Sequence, residues 1–363
     1  MKTRARVSIK GGPQAESAPK RSRFRLGGKI GLPASVKNFI GPKPVIRYSH
    51  YTALKVFEKI GFRFEVRRLG ESRLGLLRWP LRKVAAGKTA RRLVMVPGFG
   101  DTPLAWLSVL AGLKPILKRE VDEVVLVDYP GYSGFLHDEP AFHSMDELLR
   151  SFNEVLHTLK PTILMGHSLG GWLAADYAIQ DGKGAGHLKE LILIDPGGLV
   201  GTEQEKANYQ SLFVRAVQDG SRDLLPHIFA KMPFWLQFFE EEFSGFLKAP
   251  EIREFIESFG DHHLLESRVG EIRAKTTVIW GERDTLTPAT WMNQWMALLP
   301  ASANAVGILI KGSGHSPQIE KPGILVALFT QIFLGRAPLD FQLFPFWKVV
   351  RPAAHLDDQR PAV

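Results

Sequence analysis

The sequence predicts an α/β protein built on a mostly parallel, doubly wound sheet. Six short apolar runs lack the polar alternation of a half-exposed sheet, as parallel strands covered on both faces require. Helical patterns separate most of these runs, which is the βαβ alternation of a doubly wound fold. One interval, Leu199–Gly270, is mostly helical and interrupts this rhythm. A connection of that length is expected to form a separate cap.

The expected elements follow one another along the chain. A short amphipathic helix at Ala53–Ile60 precedes two antiparallel strands, Phe62–Leu69 and Leu74–Leu81. The buried strands are Leu93–Val96, Val124–Val127, Thr162–Met165, Leu191–Ile194, Thr277–Trp280 and Val306–Ile310. The intervening helices are expected at Pro103–Leu117, Met145–Leu159, Leu169–Gln180, Pro288–Leu298 and Lys321–Phe333. The cap therefore falls before the last two strands.

Charge separates a basic N-terminal segment from a nearly neutral remainder. Residues 1–50 contain twelve Lys and Arg and a single acid, Glu16, whereas the whole chain has a net charge of +10. The globular part should therefore have no basic groove for nucleic acid. The expected organisation is a flexible tail over 1–50, a core over 51–198 and 271–335, a cap over 199–270, and a C-terminal tail over 336–363.

Several classes of protein are excluded by composition. The chain has no cysteine, so disulfides, thiolate metal sites and cysteine nucleophiles are ruled out. No apolar run is long enough to span a membrane, and no apolar signal segment follows the basic N-terminus. The lack of a membrane span and of a signal segment favours a cytoplasmic protein, whereas the lack of cysteine suits either redox environment. The adjacent pair His262 and His263 is too little for a metal site, and neither metal nor cofactor is expected.

The segment Gly166-His167-Ser168-Leu169-Gly170 carries the strongest chemical signal. It directly follows a predicted strand and opens a predicted helix. A turn this tight requires neighbours without bulk and exposes the Ser168 hydroxyl, while the helix N-terminus favours developing negative charge. Ser168 is therefore predicted to be a nucleophile.

A serine nucleophile needs a base and an orienting acid. His315 is the expected base, because it follows the last predicted strand in a loop of small residues. Two candidates for the acid, Asp284 and Asp195, lie at carboxyl ends of strands, where a parallel sheet presents its site. The order Ser168, Asp284, His315 favours Asp284, which leaves Asp195 as a structural or pocket carboxylate. Glu282 is the third option.

The loop Pro97–Thr102 is expected to complete the site. Its Phe99 N–H and the N–H of Leu169 are the predicted oxyanion donors. Gly98 lets the chain bend back over the nucleophile, and we expect both Gly98 and His167 to line the substrate pocket.

Together these motifs resemble the α/β-hydrolase superfamily, in the capped branch that includes carboxylesterases, monoacylglycerol lipases and C–C-bond hydrolases. The resemblance covers about residues 56–335 and rests on Pro97–Gly100, Asp128–Ser133, Gly166–Gly170, Gly281–Asp284 and Gly314-His315. The family commonly has His-Gly where this chain has Pro97-Gly98. The resemblance implies an eight-stranded sheet with a cap over its carboxyl edge.

The cap is rich in aromatic residues, of which Phe234, Trp235 and Phe238 are expected to contribute to an apolar acyl site. The resulting prediction is a serine hydrolase that cleaves carboxylic esters with an apolar acyl group through an acyl-enzyme. Three alternatives remain: a C–C-bond hydrolase of a diketone, a cofactor-free haloperoxidase-like or aminopeptidase-like activity on the same scaffold, and a non-catalytic ligand-binding module. The partner is a small ester or lipid-like molecule, and the basic tail predicts weak association with anionic membrane surfaces.

Overall fold

The computed structural model describes residues 45–69, 72–130, 141–184, 186–238, 240–336 and 346–351. The strands in these ranges are β1 (Arg63–Leu69), β2 (Ser72–Pro80), β3 (Arg92–Val96), β4 (Glu123–Asp128), β5 (Ile163–His167), β6 (Glu190–Ile194), β7 (Lys275–Gly281), β8 (Val306–Ile310) and β9 (Trp347–Val350). The α-helices there are α1 (Val45–Ile60), α2 (Leu107–Glu120), α3 (Met145–Leu159), α4 (Leu169–Lys183), α5 (Glu203–Asp219), α6 (Leu225–Ile228), α7 (Glu240–Leu247), α8 (Pro250–Glu257), α9 (Trp291–Leu298), α10 (Pro317–Glu320) and α11 (Pro322–Phe333).

All nine strands belong to one sheet, in the order β1-β2-β4-β3-β5-β6-β7-β8-β9. The strands from β4 to β8 in this order run parallel, whereas β1 and β2 are antiparallel additions at one edge. The prediction of a mostly parallel, doubly wound sheet is confirmed.

Helices cover both faces of the sheet, which explains the unbroken apolar runs in its strands. Successive residues of a strand point to opposite faces. In β3, Val94 and Val96 therefore pack with α3, α4 and α9, whereas Leu93 and Met95 pack with α2 and α11. Each apolar run thus contributes to two separate hydrophobic cores.

The sheet has one strand more than the eight expected. Strand β9 pairs antiparallel with β8 and comes from the segment 336–363, which the sequence predicted to be a peripheral tail. Its Trp347 is buried in the core beneath α11. A four-residue strand is too short to show an alternation of apolar and polar residues in the sequence, so this strand is recognised only by its pairing with β8.

The N-terminal boundary also differs from the prediction. Helix α1 begins at Val45, so the expected boundary at residue 50 falls inside a helix. Residues 1–44, which make up most of the predicted basic tail, lie outside the described residues. No helix in the described ranges is long and apolar enough to cross a membrane.

A helical insertion separates β6 from β7, at the position where the sequence predicts a cap. It contains α5 to α8 and several short 3₁₀ turns. Its Phe255 is fully buried and stacks on Phe99 of the core, with ring centroids 5.9 Å apart and planes 6° apart. The insertion is therefore packed against the loop that follows β3.

If β9 is an integral strand, truncating its buried aromatic residue should destabilise the protein. We expect Trp347→Ala to lower the free energy of unfolding by about 3 kcal/mol, as large-to-small core substitutions do. The adjacent Phe346 is 47% exposed, and Phe346→Ala should change the free energy of unfolding by less than about 1 kcal/mol. Urea unfolding of both variants measures the difference. Equal effects would contradict an integral β9.

Candidate active site

Ser168 occupies a strained turn between β5 and α4. Its φ of +54° lies in the left-handed region, which costs energy for a residue with a side chain. The turn requires glycine at positions 166 and 170. A Cβ at Gly166 would overlap the Gly170 carbonyl, and one at Gly170 would overlap the Pro97 carbonyl. The Ser168 N–H donates to the carbonyl of Ile194 at 2.9 Å, which ties the turn to β6. The Ser168 hydroxyl reaches a cavity.

His315 and Asp284 continue from Ser168 in a line of hydrogen bonds. Nε2 of His315 lies 2.8 Å from Oγ of Ser168, and Nδ1 lies 2.7 Å from Oδ2 of Asp284. Both His315 and Asp284 are buried. The structure thus brings together the three residues that the sequence predicts, across 147 positions of sequence between Ser168 and His315.

The Asp284 carboxylate is held by donors from the turn that follows it. Oδ1 accepts the N–H groups of Leu286 at 2.8 Å and Thr287 at 3.0 Å, and Oδ2 accepts the Thr287 hydroxyl at 2.7 Å. Sequence analysis missed the role of Thr287. The sequence does contain a signal for it. An Asp side chain often accepts the backbone N–H two residues later in an Asx turn, and here a hydroxyl residue stands at the third position.

The two alternative acids have other partners. Asp195, directly after β6, is fully buried, and its Oδ1 accepts the Gly281 N–H at 2.7 Å. The acidic atoms of Asp195 and Asp284 and a ring nitrogen of His315 all lie within 4.8 Å of one another. Glu282 instead accepts the N–H of Gly312 in an exposed loop. Of the three candidates, Asp284 is the one that forms a hydrogen bond with His315 in the described part of the chain.

Gly98 brings the loop after β3 close to the nucleophile. A Cβ at Gly98 would lie 2.9 Å from Nδ1 of His167 and 3.1 Å from Cβ of Ser168. Glycine is therefore required for this approach. The N–H groups of Phe99 and of Leu169, the first residue of α4, remain the predicted oxyanion donors.

His167 lines the cavity, as the sequence predicts, and also contacts the loop of His315. Its Nε2–H donates to the His315 carbonyl at 2.7 Å, and its Nδ1 accepts from Nε2 of Gln318 at 3.2 Å. Oδ2 of Asp101 lies 3.6 Å from the same Nδ1. These contacts fix the backbone at His315. Neither Gln318 nor Asp101 was singled out by sequence analysis, because both reach the site only through tertiary packing.

A cavity of about 400 Å³ opens from Ser168 and His315 toward the cap. Its apolar wall is formed mainly by Phe213, Leu224, Leu225, Ile228, Phe229, Trp235, Leu236 and Phe243. Its ionisable lining residues, apart from the two histidines, are Asp101 and Glu240. Within the described residues, no Lys or Arg contributes to this wall.

Of the three cap aromatics assigned to the acyl site, Trp235 lines the cavity. The assignment of Phe234 is wrong, because its side chain is 77% exposed and lies away from the wall. Both residues belong to a short 3₁₀ turn, in which neighbours point about 120° apart because each turn contains about three residues. The side chain of Phe238 lies outside the described part of the structure.

Another group of ionisable side chains consists of Asp146, His262 and His263, beside α3. Nδ1 of His263 accepts the Gly260 N–H at 3.0 Å, so the ring proton of the neutral imidazole is on Nε2. That Nε2–H points to Asp146 Oδ1 at 3.1 Å. Because Nε2 then has no free lone pair, this group does not fit a metal ion.

Comparison with known proteins gives the family. The model described as "Alpha/beta hydrolase family" matches residues 93–328, and the chain belongs to this family. The resemblance inferred from the motifs is therefore confirmed.

The sequence identity to individual relatives is low. A 2-hydroxy-6-oxononadienedioate/2-hydroxy-6-oxononatrienedioate hydrolase of Comamonas testosteroni is 25% identical over 221 residues, covering 54% of this chain and 72% of that protein. A (lyso)-N-acylphosphatidylethanolamine lipase of Mus musculus is 32% identical over 143 residues, covering 38% of this chain and 40% of that protein. Among solved structures, a membrane phospholipase A has a TM-score of 0.62 at 20% identity, with 83% of this chain and 94% of that chain covered. This last likeness shows the fold alone.

The hydroxyl of Thr287 should affect the reactivity of Ser168, because it donates a hydrogen bond to the carboxylate of Asp284. Thr287→Val keeps the shape and the backbone donors but removes the hydroxyl. We expect the labelling of Ser168 by a fluorophosphonate to slow about tenfold, since hydrogen bonds to charged groups contribute about 1.5–3 kcal/mol. The control Thr287→Ser retains the hydroxyl and should label at close to the wild-type rate. Equal labelling rates for wild type and Thr287→Val would show that the Thr287 hydroxyl has no role in the reactivity of Ser168.

Proposed function

We propose that the protein is a serine hydrolase that cleaves carboxylic esters with an apolar acyl group. The observation that carries this proposal is the hydrogen-bonded line Ser168–His315–Asp284, with Ser168 facing an apolar cavity. A nucleophile, a base within reach of its proton and a carboxylate behind the base are the parts that acyl transfer needs.

The reaction follows from this geometry. Oγ of Ser168 attacks the ester carbonyl while Nε2 of His315 accepts its proton and then passes that proton to the leaving alcohol. A water molecule next gives a proton to His315 and attacks the acyl-enzyme, which releases the acid and returns Ser168 to its starting state. Asp284 keeps the Nδ1–H of His315 oriented and stabilises the imidazolium. The Phe99 and Leu169 N–H groups stabilise the oxyanion, and α4 adds the positive end of its dipole.

The cavity favours a neutral substrate with an apolar acyl chain. Cap residues supply a wall that removes apolar surface from water, and the ionisable side chains Asp101 and Glu240 are both acidic. A substrate with a carboxylate or phosphate inside the cavity would meet like charges and find no cation among the described lining residues. An uncharged ester avoids this cost.

This charge distribution also bears on the C–C-bond alternative. The Comamonas testosteroni relative is named for dioate substrates, which carry two carboxylates. A cavity without Lys or Arg in its described wall is poorly suited to such dianions. The name of the mouse lipase supports a lipid-like ester instead. Weak association with an anionic membrane through residues 1–50 remains part of this proposal, since it would place such an enzyme beside its substrate.

The nucleophile can be tested directly. Ser168→Ala should abolish fluorophosphonate labelling and lower turnover of p-nitrophenyl esters by about 10⁶, because the members of a triad act as a unit. Ser211→Ala, an exposed residue of α5, is the matched control and should leave both unchanged. Labelling of wild type without ester turnover would favour another acyl substrate. Turnover by Ser168→Ala within tenfold of wild type would refute the mechanism, and absence of labelling in wild type would favour a non-catalytic binding module.

The acyl site can be tested with a series of acyl chains. Each buried methylene contributes up to about 0.8 kcal/mol, so kcat/KM should rise by up to about fourfold per carbon from acetyl toward octanoyl esters. A chain of equal length ending in a carboxylate should react at least about tenfold more slowly because that charge would be buried without a partner. A falling series, together with turnover of a vinylogous diketone in preference to a butyrate ester, would favour the C–C-bond reaction.

A further inference from the structure

Asp195 is a buried carboxyl group beside the active site for which the proposed mechanism has no use. It is 0% exposed and has a φ of +42°, in the left-handed region that Asp tolerates better than most residues. Its N–H donates to the carbonyl of Ile279, and its Oδ1 accepts from Gly281, so both ends are anchored to β7. Its Oδ2 is also buried, and no donor among the described residues reaches it.

The carboxylate of Asp284 lies close to Asp195, since one carboxylate oxygen of each residue lies within 4.8 Å of the other. A side-chain hydrogen bond with Asp284 is also among the causes that raise the pKa of Asp195. Two ionised carboxylates this close, both out of water, would repel each other strongly. A proton on one of them replaces this repulsion with a hydrogen bond. The pair therefore shares one negative charge, as closely spaced buried carboxylates do elsewhere.

The surroundings decide which member of the pair holds the proton. Asp284 accepts hydrogen bonds from Leu286, Thr287 and His315, all of which favour its ionised form. Asp195 accepts one hydrogen bond, from Gly281. Burial raises the pKa of Asp195 well above its usual value, and the nearby charges of Asp284 and, more weakly, Glu320 raise it further. The proton therefore belongs on Asp195.

We propose that Asp195 is a positioning residue that stays protonated at neutral pH and donates a hydrogen bond from Oδ2 to the carboxylate of Asp284. This bond closes a line that runs Asp195, Asp284, His315, Ser168. It adds a further donor to those that Asp284 receives from the turn that contains Thr287. It also draws negative charge from Asp284, which weakens the attraction between Asp284 and the imidazolium that forms during the reaction. The catalytic part of this inference rests on the proposed function, whereas the protonation of Asp195 does not.

The protonation state can be measured without any substrate, by the pH dependence of unfolding. Above about pH 4 an unfolded Asp has released its proton, whereas folded Asp195 keeps it, so unfolding releases a proton and wild-type stability falls as the pH rises. The matched control is Asp195→Asn, whose amide has the same shape, donates like a protonated acid and does not titrate. The ratio of unfolding constants, wild type over Asp195→Asn, should rise about 100-fold between pH 5 and pH 7. A rise of less than about tenfold would overturn the proposal.

Infrared spectra provide an independent reading at pH 7. Wild type should show the C=O stretch of a protonated carboxyl group, and Asp195→Asn should lack it. Identical spectra in this region would also overturn the proposal.

The positioning role is tested by ester hydrolysis. We expect Asp195→Asn to keep kcat within about threefold of wild type, whereas Asp284→Asn should lose about 10⁴ because His315 would adopt the wrong tautomer. Asp195→Leu removes the donor and should lower kcat at least about tenfold and move the acid limb of the kcat/KM profile to higher pH by about 0.5 unit, since Asp284 then holds more charge. A crippled Asp195→Asn would show instead that Asp195 is the ionised acid.

These measurements separate this inference from the esterase proposal. If no ester is turned over, the unfolding and infrared experiments still decide whether Asp195 is protonated. If Asp195→Leu fails to fold, because the Gly281 N–H loses its acceptor, the Asp195→Asn variant decides the question alone. Ester turnover with a flat unfolding ratio would retain the enzyme and reject the proton on Asp195.

Discussion

The active site depends on the parallel register of β5, β6, β7 and β8. His167 pairs with Ile194, Ile194 with Ile279, and Gly281 with Ile310, so these strands end at nearly the same level. The residues that follow them in the chain are therefore brought to one edge of the sheet. The hydroxyl of Ser168, two carboxyl groups and the imidazole of His315 meet there although they are far apart in sequence. A shift in this register would separate them.

The cost of burying charge explains much of the local structure at that edge. Asp284 is buried, and its ionised form is stabilised by donors from its own turn and from His315. Asp195 lies in the same low-dielectric region but, among the described residues, accepts from one donor, the Gly281 N–H. The two carboxyl groups are chemically identical, and we propose that their different surroundings let Asp284 hold the charge while Asp195 holds the proton.

The cap and the loop after β3 form a single packing unit above the nucleophile. Phe99 stacks on Phe255 and contacts Phe246, with ring centroids 5.4 Å apart in the second pair. The loop that brings Gly98 to Ser168 is thus held in place by aromatic residues of the cap. Phe99 also lines the cavity, and Asp101 of the same loop lies beside His167. The position of the loop and the lining of the cavity therefore depend on the same aromatic packing.

The sequence by itself determined the features that depend on neighbouring residues. Apolar runs and helical periods identified the sheet, its order of elements and the insertion before β7, and the glycines around Ser168 identified the strained turn. Only the tertiary structure decided the features that depend on long-range packing. Strand β9 exists through its pairing with β8, and Phe234 points to solvent because Trp235 faces the cavity. The proposed difference in protonation between Asp195 and Asp284 also needs the tertiary structure. The turn after Asp284 supplies local donors, but the approach of the two carboxyl groups and the contact with His315 join residues from different strands.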